Sequence, residues 1–251
     1  MGKISVVGIG PGSTDDMTYR AHRTIEEATA VVGYSRYIQL IADLVEGKKV
    51  LDTGMTQEID RCRAALEEAA AGENVVVISS GDAGIYGMAG LVLELLMKMD
   101  EDQRPEFGGV IPGVSAMSAA AGLLGAPIMH DFAVISLSDL LTPWELIQER
   151  AELAAKGDFV TVLYNPRSHK RVGQIQAVQE IFLRERAPET PVGIVTSASR
   201  EGENVVLSTL GAFTKEDINM FSIVIIGNSK TKQNGQWMIT PRGYQKREPG
   251  L

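Results

Sequence analysis

The chain has 251 residues, 44% of them hydrophobic and 22% charged, which is enough apolar material for one large or two modest globular domains. Its net charge of −8 at pH 7 argues against a nucleic-acid surface or an anionic-membrane binder, so an acidic substrate would have to meet locally gathered Arg and Lys. The lone cysteine, Cys62, excludes an intrachain disulfide and any four-cysteine metal or iron–sulfur site within one subunit.

Residues 3–9 read as a strand that begins almost at once, with neither the apolar length nor the cleavage site of a signal peptide. A helix is expected over 17–29, a short strand over 30–32, a helix over 37–45 and a short strand over 49–51. Residues 56–71 carry apolar faces at helical spacing, and Cys62 falls there as a bland thiol rather than a nucleophile. A β-branched strand over 74–79, a helix over 86–99 and a short strand over 109–111 follow. This alternation predicts a mainly parallel sheet with helices on its faces.

The second half opens with a small-residue helix over 116–124 and a strand over 132–137. Thr142-Pro143-Trp144-Glu145 has the form of a capping box with proline at the first helical position, and it predicts a helix to about residue 155. A strand over 159–164, a helix over 172–186, strands over 192–196, 205–210 and 221–226, and a polar tail complete the pattern. Consecutive strands without intervening helices predict a mixed sheet. The fold class is therefore α/β, with an N-terminal domain over 1–115 and a C-terminal domain over 116–251. No segment reaches 18 uninterrupted apolar residues, and the expected location is cytoplasmic.

Glycine-rich junctions stand where three of these strands end. They are Gly8-Ile9-Gly10-Pro11-Gly12, Gly81-Asp82-Ala83-Gly84-Ile85-Tyr86-Gly87 and Pro112-Gly113-Val114-Ser115-Ala116. In open α/β sheets ligands sit outside the carboxyl ends of the strands, and glycine there lets main chain approach a ligand. The first junction is G-x-G-x-G, not the dinucleotide G-x-G-x-x-G, and no carboxylate ends the second strand, which disfavours a nicotinamide cofactor and an oxidoreductase. Taken alone it is a tight turn as readily as a ligand site. Asp82 has two readings of equal weight: a cap for the helix after it, or a ligand contact favoured by the flanking glycines.

Arg167-Ser168-His169-Lys170-Arg171 follows Tyr164-Asn165-Pro166 and reads either as a solvated helix start or as an anion clamp. Arg36, Arg200 and Arg242 are weaker candidates of the same kind. The three histidines lack metal-ligand spacing, and no metal site is expected. His130-Asp131 has no G-x-S-x-G elbow to complete a hydrolase triad.

Taken together, the three junctions resemble those of the tetrapyrrole methylases. The stretch over 130–144, Leu163-Tyr164-Asn165-Pro166 with its basic residues, and Met238-Ile239-Thr240-Pro241-Arg242-Gly243-Tyr244 resemble the branch that methylates precorrin-3B or cobalt-factor III at C17. The resemblance covers nearly the whole chain. It departs at Ser13 and Ala83, where many relatives carry Asp and Pro. It implies two α/β domains, S-adenosylmethionine in a cleft between them, an acidic tetrapyrrole substrate and a homodimer. It further implies donor contacts at Ile9, Gly10, Pro11, Gly81, Asp82, Ile85, Tyr86, Ser115, Ala116, Tyr164, Asn165 and Ala198. Substrate carboxylates would meet Arg167, His169, Arg171 and Arg200. Ring contraction needs proton transfer and carbonyl polarisation, for which Ser13, Asp15, Arg36 and His130 are the candidates. Action elsewhere on the ring, at C11 or C20, and a noncatalytic ligand sensor are the alternatives.

Overall fold

A computed structural model describes residues 1–54, 57–168 and 171–244. The chain divides into two compact units, Met1–Ala116 and Met117–Leu251.

In the first unit the elements run β1 (Lys3–Gly8), α1 (Tyr19–Glu26), β2 (Ala30–Tyr34), α2 (Ser35–Gln39), α3 (Ala42–Val45), β3 (Lys49–Thr53), α4 (Glu58–Ala70), β4 (Asn74–Ser79), α5 (Ala89–Leu96) and β5 (Glu106–Ile111). The five strands form one sheet in the order β3-β2-β4-β1-β5, and every pairing is parallel. Strands buried on both faces need apolar side chains at successive positions, which is why β1 and β4 read as continuous runs. Ile4, Val6, Val75 and Val77 pack on one face with α4 and α5. Val7, Val76 and Ile78 pack on the other with Ile25 of α1 and Val45 of α3.

The second unit contains α6, which starts at the boundary (Ala116–Leu124), β6 (Gly125–Ala126), β7 (Phe132–Ser136), α7 (Trp144–Lys156), β8 (Val160–Tyr164), α8 (Gln174–Leu183), β9 (Pro191–Thr196), β10 (Asn204–Thr209), β11 (Ser222–Ile226), β12 (Lys232–Asn234) and β13 (Trp237–Ile239). Its main sheet, β10-β9-β11-β8-β7, is mixed: β7 and β8 run parallel and the other pairs antiparallel. Helices α7 and α8 cover one face around the fully buried Phe182 and Phe213. On the other face Leu124 of α6 sits over Gly193, where an added Cβ would stand 2.4 Å from the leucine.

Several elements depart from the sequence reading for local reasons. The helix expected over 17–29 starts at Tyr19 because the Thr18 hydroxyl caps it, accepting from the Ala21 N–H at 3.1 Å. The helix expected over 37–45 breaks into α2 and α3 at Leu40–Ile41. The expected capping box does not form: Pro143 is itself the N-cap, with an extended ψ of 137°, and no side chain caps α7. The pyrrolidine lacks an N–H but its carbonyl accepts from Leu146 and Ile147, so proline stands one position earlier than expected. The polar tail holds β12 and β13, which join β6 in a small three-stranded sheet. Among the described residues no helix is long and apolar enough to cross a membrane.

Candidate active site

Strands β4, β1 and β5 are neighbours and parallel, so the loops at their carboxyl ends meet. They meet through glycine. Gly10 and Gly81 form an isolated bridge, each N–H donating to the other's carbonyl at 3.2 and 2.7 Å. Both adopt left-handed backbone, φ +80° and +68°, which glycine reaches without strain. A Cβ on Gly8 would lie 2.6 Å from the Gly81 oxygen and 2.7 Å from the Gly113 nitrogen. A Cβ on Gly113 would lie 2.2 Å from the same Gly81 oxygen. Gly8, Gly81 and Gly113 thus form a three-way main-chain contact that a side chain on Gly8 or Gly113 would force apart.

Asp82 locks this contact. Its Oδ1 accepts from the Gly84 N–H at 2.8 Å and its Oδ2 from the Gly113 N–H at 3.0 Å. Helix α5 begins only at Ala89, so the carboxylate does not cap it; it ties the second loop to the third. Around this latch Ile9, Pro11 and Ser115 are buried, and Ile85 and Ala116 are half-buried. The Ile9 N–H donates to the Ser79 carbonyl at 2.9 Å. Tyr86 is exposed and holds φ +53°, uncommon for a bulky residue. Gly84 is exposed too, and a Cβ there would meet only the Asp82 Oδ1, at 3.2 Å, so the rim of the second loop is low and lined by main chain.

The acid–base candidates fall in both units. In the first, Ser13 caps a short 3-10 turn over Thr14–Asp16, its hydroxyl accepting from the Asp15 N–H at 3.1 Å. The Asp15 carboxylate is exposed beside it, and Arg36 is exposed on α2. In the second, His130 Nδ1 accepts from the Asp131 N–H at 2.8 Å and lies 3.5 Å from that residue's carboxylate. Burial pushes the Cys62 thiol up to about 11, against the pull of Arg61, and keeps it inert. Among the described residues no three His, Cys, Asp or Glu side chains are grouped to hold a metal ion.

In the second unit the parallel strands β7 and β8 end side by side at Ser136 and Tyr164. The Tyr164 hydroxyl accepts from the Met117 N–H at 3.0 Å, at the start of α6. Asn165 turns left-handed at φ +50° and its amide donates to the Ser136 hydroxyl at 3.0 Å. Ala198 is half-buried between two left-handed serines, Ser197 and Ser199. The basic cluster divides. Arg167 is half-buried, and His169 lies outside the described residues. Arg171 is 8% exposed, and its guanidinium faces Asp139 at 3.6 Å, the Ser138 hydroxyl at 3.4 Å and the Asn165 carbonyl at 3.4 Å. That is a strut inside the unit rather than a free clamp. Arg200 is half-buried on the turn after β9. The contributions of Gly8, Gly113 and Ser136 were not assigned from sequence; glycine at a strand end was the available signal for the first two, and Ser136 carried none.

The chain matches the family Tetrapyrrole (Corrin/Porphyrin) Methylases over residues 3–214. It is 51% identical, over 241 residues, to a probable cobalt-factor III C(17)-methyltransferase of Salmonella typhimurium, covering 96% of this chain and 99% of that protein. It is 49% identical, over 249 residues, to a cobalt-factor III methyltransferase of Priestia megaterium, covering 98% of this chain but only 46% of that longer protein. The crystal structure of the methyltransferase CobJ superposes with a TM-score of 0.90 at 38% identity, covering 96% of this chain and 100% of that one. With a match that runs from the first strand past the tenth, and relatives near half identical along almost its whole length, the chain belongs to the tetrapyrrole (corrin/porphyrin) methylases.

Proposed function

We propose that the protein transfers a methyl group from S-adenosylmethionine to C17 of cobalt-factor III, with contraction of the ring, in cobalamin biosynthesis. The observation that carries this reading is the end-to-end likeness to a probable cobalt-factor III C(17)-methyltransferase of nearly the same length. The donor supplies an activated methyl on a sulfonium, so the protein needs alignment more than a nucleophile. The residues fit that requirement. The rim at Gly81–Gly84 is low, and Asp82 fixes it against the third loop. Ile9, Gly10, Pro11, Ile85, Tyr86, Ser115 and Ala116 would hold the donor from the first unit, and Tyr164, Asn165 and Ala198 from the second. Gly10 and Gly81 do so indirectly, because each N–H is already taken by the other's carbonyl. Arg167 and Arg200 would offer charge to substrate carboxylates, with Arg171 keeping the Asn165 turn in place. His130 would polarise a carbonyl by donation from its imidazole, while Ser13 and Asp15 on the turn after the first loop, and Arg36 on α2, would serve proton transfer. A homodimer and a cytoplasmic location belong to the same proposal.

The test is incubation with methyl-labelled S-adenosylmethionine and cobalt-factor III, followed by NMR of the product. Label at C17 of a contracted ring is expected. Label at C11 or C20 would overturn the assignment, and so would no transfer at all to any tetrapyrrole. Sedimentation of the same sample reads the dimer.

A further inference from the structure

Between β7 and α7 the chain leaves the core of the second unit and returns to it. Leu137 is fully buried and Ile147 is 2% exposed, whereas Leu140 and Leu141 between them are 77% and 98% exposed. Single exposed apolar side chains are ordinary on a protein surface. Two adjacent leucines on a loop held fast at its base are a different case. The Leu137 N–H donates to the Tyr164 carbonyl at 2.9 Å, and the Ser138 N–H to the Ser136 hydroxyl at 3.2 Å. The Asp139 carboxylate accepts from the Gln174 amide at 2.9 Å through one oxygen and faces the buried Arg171 guanidinium at 3.6 Å through the other. Arg171 also reaches the Ser138 hydroxyl. The leucines therefore project from an anchored turn, and burial within the chain does not account for them.

Their place is also particular. The turn follows β7, whose partner β8 runs parallel to it, and ligands of α/β sheets collect beyond the carboxyl ends of parallel strands. The carboxylate next to the pair is neutralised by Arg171, so an anionic ligand meets no bare negative charge there. An apolar tip over a neutralised base suits a flat, apolar ring with carboxylates at its rim. We propose that Leu140 and Leu141 pack against the face of the tetrapyrrole macrocycle and set the affinity for the methyl acceptor. This rests on the function proposed above, and it assigns the acceptor side of the site to residues that bear no charge.

The experiment titrates the parent, L140S/L141S and L140M/L141M with cobalt-factor III by absorbance, and with S-adenosylhomocysteine by calorimetry. Losing two leucine contacts should weaken tetrapyrrole binding by about tenfold or more in the serine variant. Binding of S-adenosylhomocysteine should stay within about twofold, because only acceptor contacts are removed. The methionine variant should bind the tetrapyrrole like the parent, since methionine keeps an apolar surface. Both variants should melt with the parent, because neither leucine is buried. Unchanged tetrapyrrole affinity in the serine variant would overturn the inference. A changed sedimentation coefficient with unchanged affinity would also do so, by giving the pair to a second copy of the chain. If the parent binds cobalt-factor III but methylates it elsewhere than C17, the positional assignment falls while this inference is still decided by the affinities. A parent that binds no tetrapyrrole would end both.

Discussion

Asp82 shows how one side chain can tie two loops together. Each carboxylate oxygen takes one main-chain N–H, from Gly84 and from Gly113, residues that belong to different loops. Charge-assisted bonds of this kind contribute about 1.5–3 kcal/mol. The Asn variant, D82N, keeps the shape but turns an NH2 group towards one of the two donors, so one N–H loses its acceptor. D82A loses both. Calorimetry should therefore show D82A melting below D82N and both below the parent, with D82A lower by about 4–10 °C. Binding of S-adenosylhomocysteine should weaken in the same order. Melting of D82N within about 1 °C of the parent, well below that range, would mean that the latch carries no weight. Sequence alone left Asp82 between a helix cap and a ligand contact, because both readings need the same residue in the loop after a strand. The start of α5 at Ala89, seven residues on, removes the cap reading.

At the scale of elements, the parallel sheet of the first unit was legible because doubly buried strands must be apolar at consecutive positions. The three glycine junctions were legible because main chain packs on main chain there, and only glycine permits it. Other elements left no comparable trace. A two-residue strand such as β6 has no period to detect. The residues of β12 are Lys232, Gln233 and Asn234, all exposed, and they pair with β13 around Gly235 at φ +58°. The apolar pattern of α5 runs back towards Tyr86, but the close contact at Gly87, where a Cβ would lie 2.5 Å from the Ala83 oxygen, keeps that stretch in a turn. The glycines can be tested against each other. G113A forces a methyl onto the Gly81 carbonyl and should cost about 1–3 kcal/mol, as overpacking does. G90A adds the same methyl on α5, where nothing lies within 4 Å, and should stabilise by up to about 1 kcal/mol through helix propensity. Equal melting temperatures for the two variants would refute the three-way contact.

For the molecule as a whole, charge sets a condition that the residues at the site must meet. The chain carries −8, and the acceptor proposed for it is a polycarboxylate, so the two repel at long range. Contacts at Arg167 and Arg200 would act over only a few ångströms. The Debye length falls from about 30 Å at 0.01 M salt to about 8 Å at 0.15 M, which removes the long-range repulsion while leaving close pairs largely intact. Stopped-flow mixing with cobalt-factor III should therefore show association becoming faster across that range, by roughly two- to fivefold. A basic protein binding the same ligand would show the reverse. The dissociation rate should rise less, since the close pairs and apolar contacts that govern it are screened weakly. Association that slows with salt would mean that the local cations project a field beyond the site, strong enough to override the negative charge of the whole chain.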